Sequence, residues 1–176
     1  MNRETKTGTH YSAGEFEAYF LGVMTEAAAS LLQAVDPTLQ PAAVPSGKIV
    51  VDSAGVVGFV GADIRGLFSF AMARTSADSS PWELHEDRLG ELANQLAGRV
   101  KNLLGRVGVV YEVAPPVTLR GRQVSIVSGE RLMRLLFNGP SVTYSVQVAL
   151  EVLRPVELAP VDDEQLPASE GDLILF

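Results

Sequence analysis

The stretch Ser80-Pro-Trp-Glu-Leu-His-Glu-Asp-Arg-Leu-Gly-Glu-Leu-Ala-Asn-Gln-Leu-Ala-Gly-Arg-Val-Lys-Asn-Leu-Leu-Gly-Arg-Val-Gly-Val-Val-Tyr-Glu-Val113 changes its apolar period part-way along. Leu89, Leu92, Leu96, Val100, Leu103 and Val107 recur at helical spacing and predict one amphipathic helix. Its start is punctuated by Ser80 as N-cap, Pro81 in the first turn and Glu83 three residues after the cap. Gly105 and Gly108 bracket its end. From Val109 the period becomes two, so a long helix feeds a set of strands.

Downstream, strand-like runs cover Val109–Val113, Gln123–Ser128, Leu132–Phe137 and Val142–Leu150, with Asn138-Gly139 as a hairpin signal between the last two. Upstream lie Lys48–Asp52, Val56–Val60 and Leu67–Met72, with Ser53-Ala-Gly55 and Asp63-Ile-Arg-Gly66 read as turns. A first helix is predicted from Glu15 to about Val35, with Phe16, Tyr19, Phe20, Val23, Ala27, Leu31 and Val35 on one stripe. Asp36-Pro37 ends it, because proline disfavours helical geometry in the residue before it. Helix, three strands, helix, four strands reads as two αβββ units in pseudo-duplication. Short connections between consecutive strands predict a mainly antiparallel sheet covered by two long helices, a two-layer α+β domain.

Composition supports one folded unit of this size. The chain has 176 residues, 47% hydrophobic and 20% charged, with mean hydropathy +0.18. There is no cysteine, which excludes disulfides, thiolate metal sites and cysteine nucleophiles. Two distant histidines, His10 and His85, argue against a histidine-rich metal site or a Ser-His-Asp triad. A net charge of −7 argues against nucleic acid or an anionic membrane as partner. No apolar run of spanning length and no signal-like start is read, so a cytoplasmic protein is expected.

The charge is uneven. Residues 88–134 hold eight bases against three acids, a local surplus of five, which leaves −12 for the rest. The last 22 residues carry six acids, no base and three prolines, and Leu173-Ile-Leu-Phe176 follows as an apolar plug. The expected organisation is a polar arm over 1–14, a folded domain over 15–153 and a disordered acidic tail over 154–176.

On the solvent side of the second helix, Asp87, Glu91, Asn94, Gly98 and Lys101 or Asn102 follow at spacings of four, three, four and three. Asparagine and glycine are poor helix formers, glycine by roughly 1 kcal/mol relative to alanine. Two such residues on an exposed face point to function or to a close partner. The plainer alternative is that Gly98 lies beneath a crossing strand and Asn94 bonds a loop. Other patterns carry less. Gly55, Gly58, Gly61 and Gly66 form no phosphate-binding motif. His85, Glu86 and Asp87 fall on the wrong helix faces to share a metal. Trp82 reads as a helix-start anchor against the core.

Asp87, Glu91, Asn94 and Pro116, with Glu91-Leu-Ala-Asn-Gln-Leu-Ala-Gly98, resemble the signature of the CheC/CheX/FliY phosphatases, which dephosphorylate the chemotaxis response regulator CheY. The resemblance extends to Val56–Gly66, similar to the family's strand–turn–strand with its Gly61-x-Asp63-x-x-Gly66 turn. It extends also to Ala114–Gly121, similar to the proline-containing entry to the second half of the sheet. Neither Glu15 nor Glu26 has an asparagine three residues later, so the chain with its single signature is more similar to CheX.

The resemblance implies hydrolysis of the aspartyl phosphate on a CheY-like receiver domain. Asn94 would orient the attacking water, the role a glutamine plays in small GTPases. Glu91 would pair with the receiver's active-site lysine, Gly98 would admit the partner's backbone, and Asp87 and Lys101 would assist docking. Mg²⁺ would come with the receiver, with no cofactor of the chain's own, and a homodimer through a shared sheet is implied. A non-catalytic relative that docks or scaffolds a receiver or motor component is the alternative.

Overall fold

The computed structural model describes residues 8–44, 51–74, 83–124, 132–140 and 142–161. The expected strand start at 48–50, the Ser80-Pro81-Trp82 helix entry, the run 125–128 and the acidic stretch from 162, with Leu173–Phe176, lie outside the described residues. The order is β1 (Thr9–Tyr11), α1 (Ala13–Val35), β2 (Gln40–Ala42), β3 (Val51–Gly61), β4 (Ile64–Arg74), α2 (Glu83–Gly105), β5 (Tyr111–Val113), β6 (Val117–Val124), β7 (Leu132–Asn138), β8 (Val142–Val152) and β9 (Val156–Leu158).

Helix α1 starts two residues earlier than expected because Ser12 and Glu15 cap it. The Glu15 carboxylate accepts the Ser12 backbone N–H at 2.9 Å and the Ser12 hydroxyl at 2.6 Å. The hydroxyl and N–H bonds hold this carboxyl below its usual range. At the far end, Asp36 accepts from the Thr38 N–H at 2.8 Å, a turn that carries the chain past Pro37. By length and composition α1 is apolar enough to cross a membrane, a property the sequence reading did not assign to it. Here its apolar residues Phe16, Phe20, Met24, Ala27, Ala28, Leu31 and Leu32 are buried in the core.

All sheet pairings among the described residues are antiparallel. The main sheet runs β2-β7-β8-β4-β3-β5, with β6 also on β3. Its central pair is β4–β8, in register from Ile64↔Val152 to Arg74↔Val142. The pseudo-duplication is visible in the pairing. β3 flanks β4 as β7 flanks β8, and each unit lends its first strand to the other, β2 to β7 and β6 to β3. The additional run in the second unit is the short β5. The architecture is the expected two-layer α+β fold.

Four local readings change, the first being that the strand expected from Gln123 already begins at Val117 as β6. Val51-Asp52 and the run 56–60 belong to one strand, β3, because Ser53-Ala-Gly55 pairs through on both sides instead of turning. The turn into β4 is Ala62-Asp63, and Ile64-Arg65-Gly66 is already strand. The expected tail from 154 begins as structure. β9 pairs with β1 in a second sheet, Val156 and Leu158 are buried, and Ala159 and Val161 donate to the Val107 and Arg106 carbonyls at 3.1 and 3.0 Å. Paired backbone and two buried apolar side chains offset the ordering cost at these residues.

Both helices pack on one face of the main sheet, over Val57, Phe59, Ile64, Phe68, Phe70, Val146 and Val148. Phe59 and Phe68 lie 4.9 Å apart by ring centroid, and Phe59 and Tyr111 5.1 Å. Gly55 lets the α2 backbone reach β3. A Cβ built there would lie 2.2 Å from the Leu89 carbonyl oxygen and 2.6 Å from the Gly90 nitrogen. Gly55→Ala is therefore expected to destabilise the fold by about 2–3 kcal/mol through overpacking. Gly22→Ala on α1, where a Cβ meets nothing within 4 Å, should stabilise it by about 0.5–1 kcal/mol. Denaturant midpoints at unchanged slope check both.

Candidate functional site on the outer face of α2

Leu89, Leu92, Ala93, Leu96, Ala97, Val100 and Leu104 form the buried side of α2. Leu104 takes the core position expected for Leu103, which is half-buried. The helix thereby presents Glu91, Gln95 and Asn102 exposed, with Asn94, Gly98 and Lys101 half-buried beside them. Glu91 and Lys101 lie about 15 Å apart along the axis at the usual helical rise. Asp87 is in the same helix, and its side chain falls outside the described residues.

Pro116 comes back to this helix from the entry to β6, in the same unit. A Cβ at Gly90 would lie 3.2 Å from Thr118 Oγ1 and 3.8 Å from Pro116 Cβ, so the entry to β6 passes along α2 one residue from Glu91. Gly61 and Gly66 are not part of this group. Gly61 lies under the Val110 carbonyl at the β3–β4 turn, and Gly66 faces the Ala149 carbonyl and the Phe59 ring.

Three contacts not read from the sequence hold the face. Tyr111 on β5, buried, donates its hydroxyl to the Ala97 carbonyl at 3.3 Å, next to Gly98. Arg99 donates to the Ser30 hydroxyl of α1 at 2.8 Å. Gln95 Nε2 donates to Glu91 Oε1 at 2.7 Å, a pair legible as an amide four residues after a carboxylate. A shallow groove of about 210 Å³ runs beside the line, between Glu26 and Ser30 of α1 and Arg99, Asn102 and Leu103 of α2.

Electrostatically the face is divided. Glu91 is the one acid in its outer line beyond Asp87, whereas residues 92–111 carry Arg99, Lys101 and Arg106 and no acid. Cations toward the C-terminal end also suit the helix dipole. Among the described residues no group of three or more His, Asp or Glu side chains is placed to hold a metal ion. Chemically, the face offers an amide on a firmly packed helix, one carboxylate one turn away, and nearby cations.

No family model and no curated protein matches the chain. Solved structures do match in fold. The chemotaxis protein CheX from Vibrio vulnificus is 19% identical with a TM-score of 0.64, over 76% of this chain and 99% of that one. A CheC-like chemotaxis protein from Shewanella oneidensis is 21% identical with a TM-score of 0.64, over 75% and 97%. A CheX from Borrelia burgdorferi, solved in complex with CheY, BeF₃ and Mg²⁺, is 19% identical with a TM-score of 0.60, over 75% and 97%. The chain has the fold of the CheX and CheC-like chemotaxis proteins.

Burial pushes the Tyr111 phenol far above its ordinary range, so it stays protonated in the fold. Tyr111→Phe should cost about 1 kcal/mol at neutral pH. A folded-state pKa above the unfolded one means stability present below about pH 10 and lost as pH rises beyond it. Urea titrations from pH 7 to 11 are expected to show a shallower alkaline loss for Tyr111→Phe than for wild type.

Proposed function

We propose that this chain is a CheX-like phosphatase that hydrolyses the aspartyl phosphate of a CheY-like receiver domain in the cytoplasm, terminating a chemotaxis-type signal. The observation that carries this reading is the pairing of Glu91 and Asn94, one turn apart on the outer face of a helix, in a fold shared with a CheX that binds CheY.

Phosphoryl transfer has a loose transition state, so a catalyst works mainly by positioning and by charge stabilisation. The Asn94 carboxamide accepts a hydrogen bond from the attacking water and holds its oxygen in line with phosphorus. As the new P–O bond forms, the bond to the aspartyl oxygen breaks. The aspartate leaves as carboxylate, and the water's proton passes to the inorganic phosphate. Glu91 takes the receiver's lysine ammonium, which docks the helix over the phosphoryl group. Gly98 leaves room for the partner's backbone, while Asp87 and Lys101 extend the docking contact. Mg²⁺, held by the receiver, neutralises charge on the phosphoryl oxygens.

The half-buried setting of Asn94 supports its role, since a side chain confined by neighbours aligns a water better than a free one. Asn94→Ala is expected to reduce receiver dephosphorylation on the order of 100-fold while leaving affinity within about twofold. Glu91→Ala should raise KM as well as lower kcat. The measurement is decay of an acetyl-phosphate-charged receiver with Mg²⁺. Unaltered decay with wild-type protein that still binds favours the second reading, a non-catalytic docking protein. The six acids among the last 22 residues, surplus to the enzymatic face, support that reading.

The same proposal includes a homodimer. β6 pairs with β3 on one side, and Val117 and Leu119 are exposed along it, which suits addition of a second copy's strand. Light scattering should return twice the chain mass, and Val117→Asp with Leu119→Asp should return one chain mass.

A further inference from the structure

We propose that Gln95 is a positioning residue for Glu91: its neutral amide aims the carboxylate without discharging it, keeping the charge for a cation of the docked receiver. This inference rests on the phosphatase reading above and assigns a role to a residue that reading leaves unused.

The geometry is direct. Gln95 Nε2 donates to Glu91 Oε1 at 2.7 Å across one helical turn, on the exposed face. Oε1 is thereby occupied, and Oε2 remains to receive an ammonium. A lysine or arginine four residues after an exposed helical glutamate pairs with it, and such a pair spends its charge within the helix. Here the fourth position holds an amide. The next residue of the same stripe is Arg99, and the Ser30 hydroxyl of α1 draws it to the inter-helix groove at 2.8 Å. Among the described residues no cation pairs with Glu91. Among the described residues Glu91 is thus oriented and in no ion pair, Arg88 one turn before it included, the state a docking carboxylate needs. Immobilising a free side chain on binding costs an amount equal to roughly a two- to tenfold factor in affinity, and a pre-aimed carboxylate avoids part of it.

Two substitutions separate orientation from charge. Gln95→Met keeps length and helix propensity and removes the donor, and its expected effect is a two- to fivefold rise in KM with kcat unchanged. Gln95→Lys supplies an internal cation, and its expected effect is a rise of tenfold or more that shrinks as salt screens the pair. Each is then combined with Glu91→Gln. If Gln95 acts through Glu91, neither substitution weakens docking further in that background.

The cycle is read twice, in KM for dephosphorylation and in Kd for a receiver charged with beryllofluoride and Mg²⁺. Full-size effects of Gln95→Met in the Glu91→Gln background overturn the proposal, because Gln95 would then touch the receiver itself. Wild-type values for both single variants overturn it as well. A wild-type protein that binds the receiver without accelerating decay defeats the phosphatase reading alone, and the cycle stands in Kd. A wild-type protein that binds no receiver defeats both.

Discussion

The position of α2 depends on two glycines, one under the helix in β3 and one on the helix beside the β6 entry. Gly55 in β3 leaves the space that the Leu89 carbonyl and the Gly90 nitrogen of α2 occupy, and Gly90 leaves the space beside Thr118 and Pro116 at the β6 entry. Because the helix sits so low, the entry to β6 passes along its flank, and Pro116 comes beside the residue that precedes Glu91. A helix lifted by one methyl group would keep its amphipathic stripe but lose the fixed relation between its outer face and the β6 entry. Packed interiors transmit such a shift because they hold few voids to absorb it.

That anchoring explains how the outer face tolerates poor helix formers. Asn94 and Gly98 together cost α2 about 1–2 kcal/mol of intrinsic propensity. The buried side offers Leu89, Leu92, Leu96, Val100 and Leu104, each worth about 1.5–3 kcal/mol when fully removed from water. Tertiary burial therefore outweighs propensity several-fold, and the outer residues need not be good helix formers. The Tyr111 hydroxyl at the Ala97 carbonyl adds a second restraint at the level of Gly98.

Periodicity made the layers legible: two helices, their buried stripes and most strands follow from spacing alone. The pseudo-duplication was legible in element order, and the structure adds the exchange of first strands, which no local pattern encodes. What spacing missed has physical causes. Ser53-Ala-Gly55 looks like a turn because small residues are common there, yet they serve close packing inside a strand. Pro155 and Pro160 with Glu157 suggested disorder, but Val156 and Leu158 alternate with exposed positions, and β1 offers them a partner remote in sequence. At the site, the line from Glu91 to Lys101 was readable from helical geometry. The cross-element bonds from Tyr111 and Arg99 were not, since they depend on which loops return to α2.

The two units have diverged in what their helices do. Glu26 on α1 is exposed as Glu91 is on α2, yet three residues on stands Ala29 in place of the amide of Asn94. α1 instead supplies Ser30, whose hydroxyl holds Arg99 at the edge of the groove between the helices. One helix thus carries the polar face, and its counterpart constrains the charge beside it. A cation left loose at position 99 would lie two turns from Glu91, and a partner's ammonium would approach against its field. Held against α1, Arg99 contributes its charge to the basic C-terminal half of α2, where it suits an acidic surface rather than an ammonium. On the proposed reading, the division of sign along one helix would give a docking partner a direction as well as a place.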